Sequence, residues 1–447
     1  MTTIDIHHIA RIEGHGNVEI KLDGSKIENI ELNTVEPARF FEAIVGGRHF
    51  NDLALIVSRI CGICSPNHTM TGLIAVEEAL GLQVSERTRL LRELLVHSSF
   101  IGNHATHLYF LASPDHLKLP SVFGIAKDQA SILNRALELK RLGNDLAAAV
   151  GGRPVHPINA VVGGFTCEPN QMDLQVLAAR LRAALKDGVE TVELFAKFGV
   201  PDFHPGREML SLKAPNDYPV LTTRSEVVVH ALRSGWSKPV NKYHDYIVEH
   251  PRPELGNAKF SFVRDDAGGS GAEGEVRGAP FMVGALARIN NSWDQLMPAA
   301  HSAAEAAGKL IGLERGADNP FLNNVCQAIE IVDALQRCAV ICDKLAANYD
   351  KQRGQVAPPK SIDLRAGTGF AASEAPRGAL YYSIGLDEKG TVNSGDVITP
   401  TAQNLACIEA DLNLLAPQLE ELPQDKMVAM VEQLIRAYDP CLSCAVH

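Results

Sequence analysis

The chain closes on AYDPCLSCAVH, residues 437–447, and the reading of that segment decides the fold. Cys441 and Cys444 follow an Asp439–Pro440 pair, and the last residue is His447. A second pair of the same spacing lies in SRICGICSPNH, residues 58–68, where Cys61 and Cys64 precede His68. Nearly the whole chain separates the two pairs. Zinc ribbons hold their pairs within a few tens of residues, so here the tertiary fold must bring the chain ends together. Three chemistries stay open on spacing alone. A thioredoxin-like pair needs a βαβ unit, which neither segment has. A structural zinc staples small folds, and 447 residues have no need of one. Four thiolates in a large helical body suit a soft transition metal used for chemistry.

The composition narrows the classes. With 46% hydrophobic residues the chain has ample core for a soluble globular protein. A net charge of -11 with no basic block makes nucleic acid an unsuitable partner. No run of eighteen apolar residues offers a membrane span. The start, MTTIDIHHIARIEGHG, lacks the basic and apolar regions of a secretory signal. These features point to the cytoplasm, unless a partner carries an export signal. Nine cysteines, an odd count, argue against a disulfide framework. Cys167, Cys326 and Cys407 read as packed thiols. Cys338 and Cys342 share a helix face and read as core.

The periodicity gives a mainly α fold with β appendages (α+β). The central stretch reads as an excursion from one domain over 1–447 rather than a domain of its own. Alternation over about 4–36, with DGSK as the turn, predicts a β-hairpin. Helical periods follow at 53–60, 70–82 and 87–112, with Ser85 as an N-cap for the last. Others fall near 127–151, 171–199, 292–313, 320–352 and 425–438, where Asp439–Pro440 stops the chain. About 200–290 reads as an irregular Pro/Gly-rich excursion with short strand-like pieces. GSGAEG at 269–274 matches a dinucleotide motif, but EVRGAP after it forbids the required helix, so it reads as a surface loop. There is no P-loop, so a nicotinamide cofactor must bind a partner chain.

RIEGH (11–15), RICGICSPNH (59–68), EAPRG (374–378), ITPTAQN (398–404) and DPCLSCAVH (439–447) occur in this order. Together they resemble the large, catalytic subunit of the nickel–iron hydrogenases. EPARFFEAI (36–44), NKYHDYIVEH (241–250), GAPFMVGALARINN (278–291) and RAYDPCLSCAVH (436–447) look like the alpha subunit of the cytoplasmic sulfhydrogenase branch. That branch couples hydrogen to NADP or NAD through partner subunits.

The resemblance implies a long-helix bundle with the bimetallic site buried where the two cysteine pairs meet, and Cys61, Cys64, Cys441 and Cys444 as the nickel ligands. Cys64 and Cys444 would bridge to an iron carrying cyanide and carbon monoxide, a Ni–Fe(CN)2(CO) centre. Reversible heterolytic splitting of hydrogen would follow, with Glu13 as the first proton carrier beyond a terminal thiolate. Arg377 would point its guanidinium over the open metal position. Pro376 would wall the site, Thr401 would donate to a cyanide nitrogen, His68 would hydrogen-bond a bridging sulfur, and Asp439 would pair with Arg377. Glu42, the Val397 carbonyl and His447 would hold a magnesium or iron ion. Without the resemblance, Glu13 reads as a surface residue and Arg377 as a solvated loop arginine.

The same resemblance implies partners. Electrons would leave through an iron–sulfur small subunit and flavin/NAD(P)-binding, iron–sulfur diaphorase-type subunits, because this chain carries no cysteine set for an iron–sulfur cluster. A maturation protease would cut a C-terminal extension after the histidine, and nickel chaperones would load the metal. Two departures stand out. Asn103 occupies a position near Arg377 where many relatives carry aspartate, keeping a hydrogen bond but losing charge. Tyr381 and Tyr382 stand where many relatives carry a histidine. Deazaflavin-reducing and heterodisulfide-linked hydrogenases are the alternatives within the family. A non-catalytic or respiratory-complex-type subunit is the alternative outside it, but such chains commonly lose the cysteine pairs present here.

Overall fold

The computed structural model describes residues 2–119, 121, 124, 130–222, 226–264 and 278–447. GSGAEG lies outside these residues. A body of long helices carries the site, and strands close around it. The central helix, Asn323–Ala347, packs against Glu86–Thr106, Gln171–Ala183 and Leu185–Phe198. Local chemistry starts and stops these helices. The Ser85 hydroxyl accepts from the Thr88 amide and caps Glu86–Thr106, as the sequence predicts. Asn170 caps Gln171–Ala183 through the Asp173 amide. Glu86–Thr106 continues into a π-helical stretch, His107–Ala112, and such stretches gather at functional sites.

The helix Ser65–Leu80 is buried on nearly all sides. It packs on a three-stranded antiparallel sheet of Gly367–Ala375, Gly378–Leu386 and Val392–Ile398. Gly369 makes the close approach possible, because a Cβ there would sit 1.9 Å from the Ala75 carbonyl oxygen. These strands over 367–398 are absent from the expected elements. The first two strands are largely buried, so the period-two pattern of a half-buried strand is missing.

The N-terminal hairpin is present as Gly16–Asp23 and Lys26–Thr34, turning at Gly24–Ser25. It is part of a larger unit, for Thr2–Ile6 adds a third strand against Gly16–Asp23. The connection 7–15 is thereby freed from the ladder, and it carries Glu13. The 200–290 segment is more ordered than its composition suggests. Phe281–Met282, Glu208–Lys213, Val228–Ala231 and Ser237–Pro239 form one sheet in that order, and Ile247–Pro251 pairs with Lys259–Val263. Three predicted helices are broken. The 171–199 period is two helices joined at Ala184. The 292–313 period starts with a 3-10 turn before Pro298–Ile311, and the 320–352 period is divided at Asn348. Cys326, Cys338, Cys342 and Cys407 are buried as expected, whereas Cys167 is exposed. It sits after Phe165, where the chain leaves a two-residue strand for a turn, so the apolar run before it does not extend over it.

Candidate metal centre

Both cysteine pairs arrive from tight local structure. Cys61 follows the 3-10 turn Ser58–Ile60 and Cys64 precedes the buried helix Ser65–Leu80. At the other end, Asp439 takes a left-handed φ of 51°, which turns the chain into Cys441 and the short helix Leu442–Ala445. The fold brings the four sulfurs together. Cys61 and Cys441 lie 3.7 Å apart, Cys64 and Cys444 3.7 Å, and Cys441 and Cys444 2.7 Å. The ligand atoms of Cys61, Cys64 and Cys444 all fall within 4.8 Å of one another. All four are free thiols and at most 5% exposed. Hydrogen bonds from Cys441, Cys444 and Cys64 hold the Cys61 thiol well below its ordinary value. Burial pushes the Cys441 and Cys444 thiols up.

Glu13 meets this cluster from the N-terminal loop. The Cys441 thiol donates to Glu13 Oε2 at 2.9 Å, and the Ser443 hydroxyl donates to Oε1. The Leu442 amide donates to the Glu13 carbonyl at 2.9 Å, a bridge between the chain ends. Gly14 permits it. Its φ is +83°, and a Cβ would lie 2.9 Å from both Leu442 Cβ and the Ser443 nitrogen. Thr401, in the first turn of Pro400–Glu420, accepts the Cys441 amide at 2.9 Å.

Arg377 sits in the two-residue turn, Pro376–Arg377, between Gly367–Ala375 and Gly378–Leu386. It is 5% exposed. Its Nε donates to the Asp439 carbonyl at 2.7 Å and to Oδ1 at 3.2 Å, and Nη2 lies 3.0 Å from Oδ1. Asp439 Oδ2 accepts from Gln327 at 3.0 Å. Nη1 of Arg377 is buried with no hydrogen-bond partner among the described residues. Arg377, Thr401, His68 and three of the cysteines face a cavity of about 10 Å³ for the centre of a water-sized sphere. That is room for about one small molecule. Its apolar walls are Ala375, Leu380 and Pro400. Pro376 is buried beside them, with its carbonyl engaged elsewhere.

The last residue closes a second cluster. His447 Nε2 donates to the Val397 carbonyl at 2.6 Å and lies 3.8 Å from Glu42 Oε1. Glu42 in turn accepts the Val397 amide at 2.9 Å. Burial opposes charge on both groups, but their mutual attraction wins. Glu42 is held down to about 2 and His447 is raised. The three predicted ion ligands therefore stand together.

Comparison with known proteins joins these observations. The model of the nickel-dependent hydrogenase family matches residues 39–137 and 274–447, and a HoxL-like model matches residues 3–37. The alpha subunit of sulfhydrogenase 1 from Pyrococcus furiosus is 34% identical across 99% of this chain and 97% of that protein. The alpha subunit of sulfhydrogenase 2 from the same organism is 30% identical across 99% and 98%. The chain belongs to the nickel-dependent hydrogenase family. It is the catalytic subunit of a nickel–iron hydrogenase, an oxidoreductase acting on H2. A solved NAD+-reducing nickel–iron hydrogenase in its H2-reduced state shares the fold, with a TM-score of 0.84, 24% identity and full coverage of both chains.

One residue of this hydrogenase subunit sits differently from the expectation. Asn103 makes no hydrogen bond to Arg377. Its Nδ2 donates to the Ile63 carbonyl at 3.0 Å and to the Ser99 carbonyl at 2.7 Å. Asn103 therefore braces the loop between Cys61 and Cys64 against Glu86–Thr106. His68 lines the cavity, and its Nδ1 pairs with the Tyr382 hydroxyl at 2.8 Å, a contact that does not use Nε2. Burial lowers His68 to about 4, so the ring is neutral at working pH. Tyr382, noted only as a departure, is thus what orients this imidazole.

Arg288 also supports the site, although no sequence motif marks it. Its guanidinium is 1% exposed and every N–H is engaged. Nε and Nη2 reach Glu330 at 2.6 and 2.7 Å, and Nη1 reaches Glu374 at 2.9 Å. The two remaining donors hold the carbonyls of Ala375 at 2.9 Å and Pro376 at 2.8 Å. Arg288 therefore grips the two peptide units before Arg377. The one sequence signal is an arginine within the apolar run GAPFMVGALARINN, since buried arginines require a paired acid.

Proposed function

We propose that Cys61, Cys64, Cys441 and Cys444 hold the nickel, with Cys64 and Cys444 shared with an iron bearing cyanide and carbon monoxide. One observation carries this reading. Four soft sulfur donors from opposite chain ends converge beside an Arg377 nitrogen that is buried and has no hydrogen-bond partner among the described residues. When bound, that centre supplies the redox metal at which H2 is cleaved heterolytically. The residues of the chain handle the proton and the charge. Glu13 Oε2 lies 2.9 Å from the Cys441 sulfur, within direct reach of a proton leaving it. The Ser443 hydroxyl on the other oxygen fixes the carboxyl's orientation. Arg377, anchored by Asp439, offers a fixed cation and one free donor to the cavity, where developing negative charge is stabilised without reorganisation. Thr401 accepts the Cys441 amide, so its own hydrogen is left to donate into the cavity, toward a cyanide nitrogen. Ala375, Leu380 and Pro400 keep water out, and Pro376 backs them.

Glu42, the Val397 carbonyl and His447 would hold a magnesium or iron ion. A carboxylate and a carbonyl oxygen suit a hard cation, and the ion would pin the terminal turn. We read 1–447 as one domain, since the main buried apolar cluster runs from Ile6 to Val446 and a smaller one, from Leu210 to Ile398, joins the central strands to the strands Gly367–Ala375 and Gly378–Leu386. Electrons would pass to an iron–sulfur small subunit and on to flavin- and NAD(P)-binding diaphorase-type subunits. The likeness to the sulfhydrogenase alpha subunits and to the NAD+-reducing enzyme supports this. Among the described residues no helix is long and apolar enough to cross a membrane, and we place the enzyme in the cytoplasm. Maturation would need nickel chaperones and a C-terminal protease. The test is infrared absorption of the purified complex, with nickel and iron counted on the same sample. Sharp carbon monoxide and cyanide bands with one nickel per chain are expected. Zinc without such bands would overturn the reading.

A further inference from the structure

The two cysteine loops lie far apart in sequence, so side chains must hold them in register. The Glu13–Cys441 backbone bridge ties the C-terminal loop to residues 7–15 and not to Cys61 and Cys64. Arg39 reaches both cysteine loops. Its Nη1 donates to the Ile60 carbonyl at 2.6 Å and to the Ser443 carbonyl at 3.2 Å. Its Nη2 donates to the Arg59 carbonyl at 2.7 Å. Its backbone amide donates to the Val446 carbonyl at 2.9 Å. One residue therefore spans the two carbonyls before Cys61, the carbonyl between Cys441 and Cys444, and the carbonyl before His447.

Three further points mark this as a built contact. Among the described residues Arg39 makes no ion pair with a carboxylate, so its donors are given to main-chain carbonyls. Its guanidinium carbon lies 4.9 Å from the centre of the Phe41 ring, which restrains the side chain from behind. The next residue, Phe40, has a left-handed φ of 57° and ψ of 31° although it is not glycine and is 65% exposed. No core packing rewards that conformation. It turns the chain so that both Arg39 and Glu42 meet the same terminal segment, Arg39 at Ser443 and Val446 and Glu42 at His447.

We propose that Arg39 is a latch, a positioning residue that closes the C-terminal cysteine loop onto the N-terminal one. It sets how often the cluster opens. The consequence for nickel rests on the metal-centre reading above, whereas the closure itself does not. Arg39→Ala and Arg39→Lys, each purified with its partner subunits, test it. Amide hydrogen exchange is followed peptide by peptide, and nickel release into a chelator is timed on the same samples. Removing a charged hydrogen bond should speed exchange over 442–447 by about 30-fold in Arg39→Ala. Exchange within Asn323–Ala347 should stay at the wild-type rate, and nickel loss should accelerate in parallel with the terminal segment. Arg39→Lys should fall between, because one ammonium cannot copy a planar fork reaching both loops. It also serves as the test if Arg39→Ala fails to accumulate. Exchange over 442–447 within about twofold of wild type would overturn the latch. So would faster exchange spread evenly into Asn323–Ala347, which would make Arg39 a general stabiliser. Local acceleration in protein that never held nickel would support the latch and refute the metal reading, so the two are separable.

Discussion

Replacing Arg377 with lysine separates charge from geometry at the centre. Three contacts fix the guanidinium to Asp439, through Nε at 2.7 and 3.2 Å and Nη2 at 3.0 Å. They leave Nη1 as a free donor in a nearly dry cavity. A lysine keeps the positive charge and can still reach Asp439. It has one terminal nitrogen, so it cannot hold Asp439 and present a fixed donor elsewhere. Removing a single preorganised donor from a reacting centre slows turnover by about 100- to 1000-fold. We expect H2 splitting in Arg377→Lys to fall by about 100-fold, because the retained charge preserves part of the field. The assay is isotope exchange between H2 and D2O, followed by mass spectrometry. It needs no electron acceptor, so the partner subunits drop out of the measurement. Nickel content and infrared bands should match wild type, since no cysteine is touched. An exchange rate within about threefold of wild type would refute the argument that the free donor acts on the reaction. Loss of nickel would instead show that Arg377 holds the site together.

Cys64→Ser should remove nickel and turnover together; a serine variant that keeps either one breaks the proposed sharing of Cys64 by two metals. Gly14→Ala forces a Cβ to 2.9 Å from Leu442 Cβ at a φ of +83°, and should destabilise the terminal turn by about 1–3 kcal/mol. Nickel retained under chelator at the wild-type rate would refute that close approach. His97 is buried with its Nδ1 unpartnered among the described residues, and burial lowers it from 6.5 to about 4. The unfolded chain then binds more protons than the folded one in that window, so stability present above pH 6.5 is lost as pH falls toward 4. The loss amounts to about 3 kcal/mol. His97→Phe should remove that slope, and melting temperatures taken at a series of pH values would show the variant gaining on wild type in acid; parallel curves would sink the idea.

The ligands were legible because their spacing is local. Cys-x-x-Cys places two sulfurs on one turn whatever surrounds it, and Ser85 announces its helix for the same reason. The residues that position those ligands were not legible. Arg39 and Arg288 spend much of their hydrogen bonding on carbonyls of residues 59, 60, 375, 376 and 443, and a carbonyl has no residue identity to read. Arg288 and Glu330 lie 42 positions apart, so no short window pairs them. The strands around Pro376–Arg377 were missed because burial on both faces removes the polar–apolar alternation of a half-buried strand. Asn103 was placed near Arg377 by resemblance alone, and its actual partner, the Ile63 carbonyl, is again backbone.

The site is unevenly held, and the unevenness predicts which variants lose metal and which lose rate. Cys64 starts a buried helix, Arg377 sits in a hairpin turn gripped by Arg288, and Thr401 lies in the first turn of Pro400–Glu420. These walls can open only with the core. The remaining wall, 439–447, contains one four-residue helix. It is held by Glu13, Arg39, Thr401, the Arg377–Asp439 pair and the His447 cluster, with Leu442, Ala445 and Val446 buried against the core. Local opening free energies are smallest in short segments with little regular structure, so the cluster is expected to open by lifting this turn. A substitution in the rigid walls, such as Arg377→Lys, should then lower the rate per bound nickel and leave occupancy alone. A substitution at the closing turn, such as Gly14→Ala, should lower occupancy and leave the rate per bound nickel alone. Measuring both quantities on both variants distinguishes this division from a site that loosens as a whole, in which occupancy and rate would fall together in each.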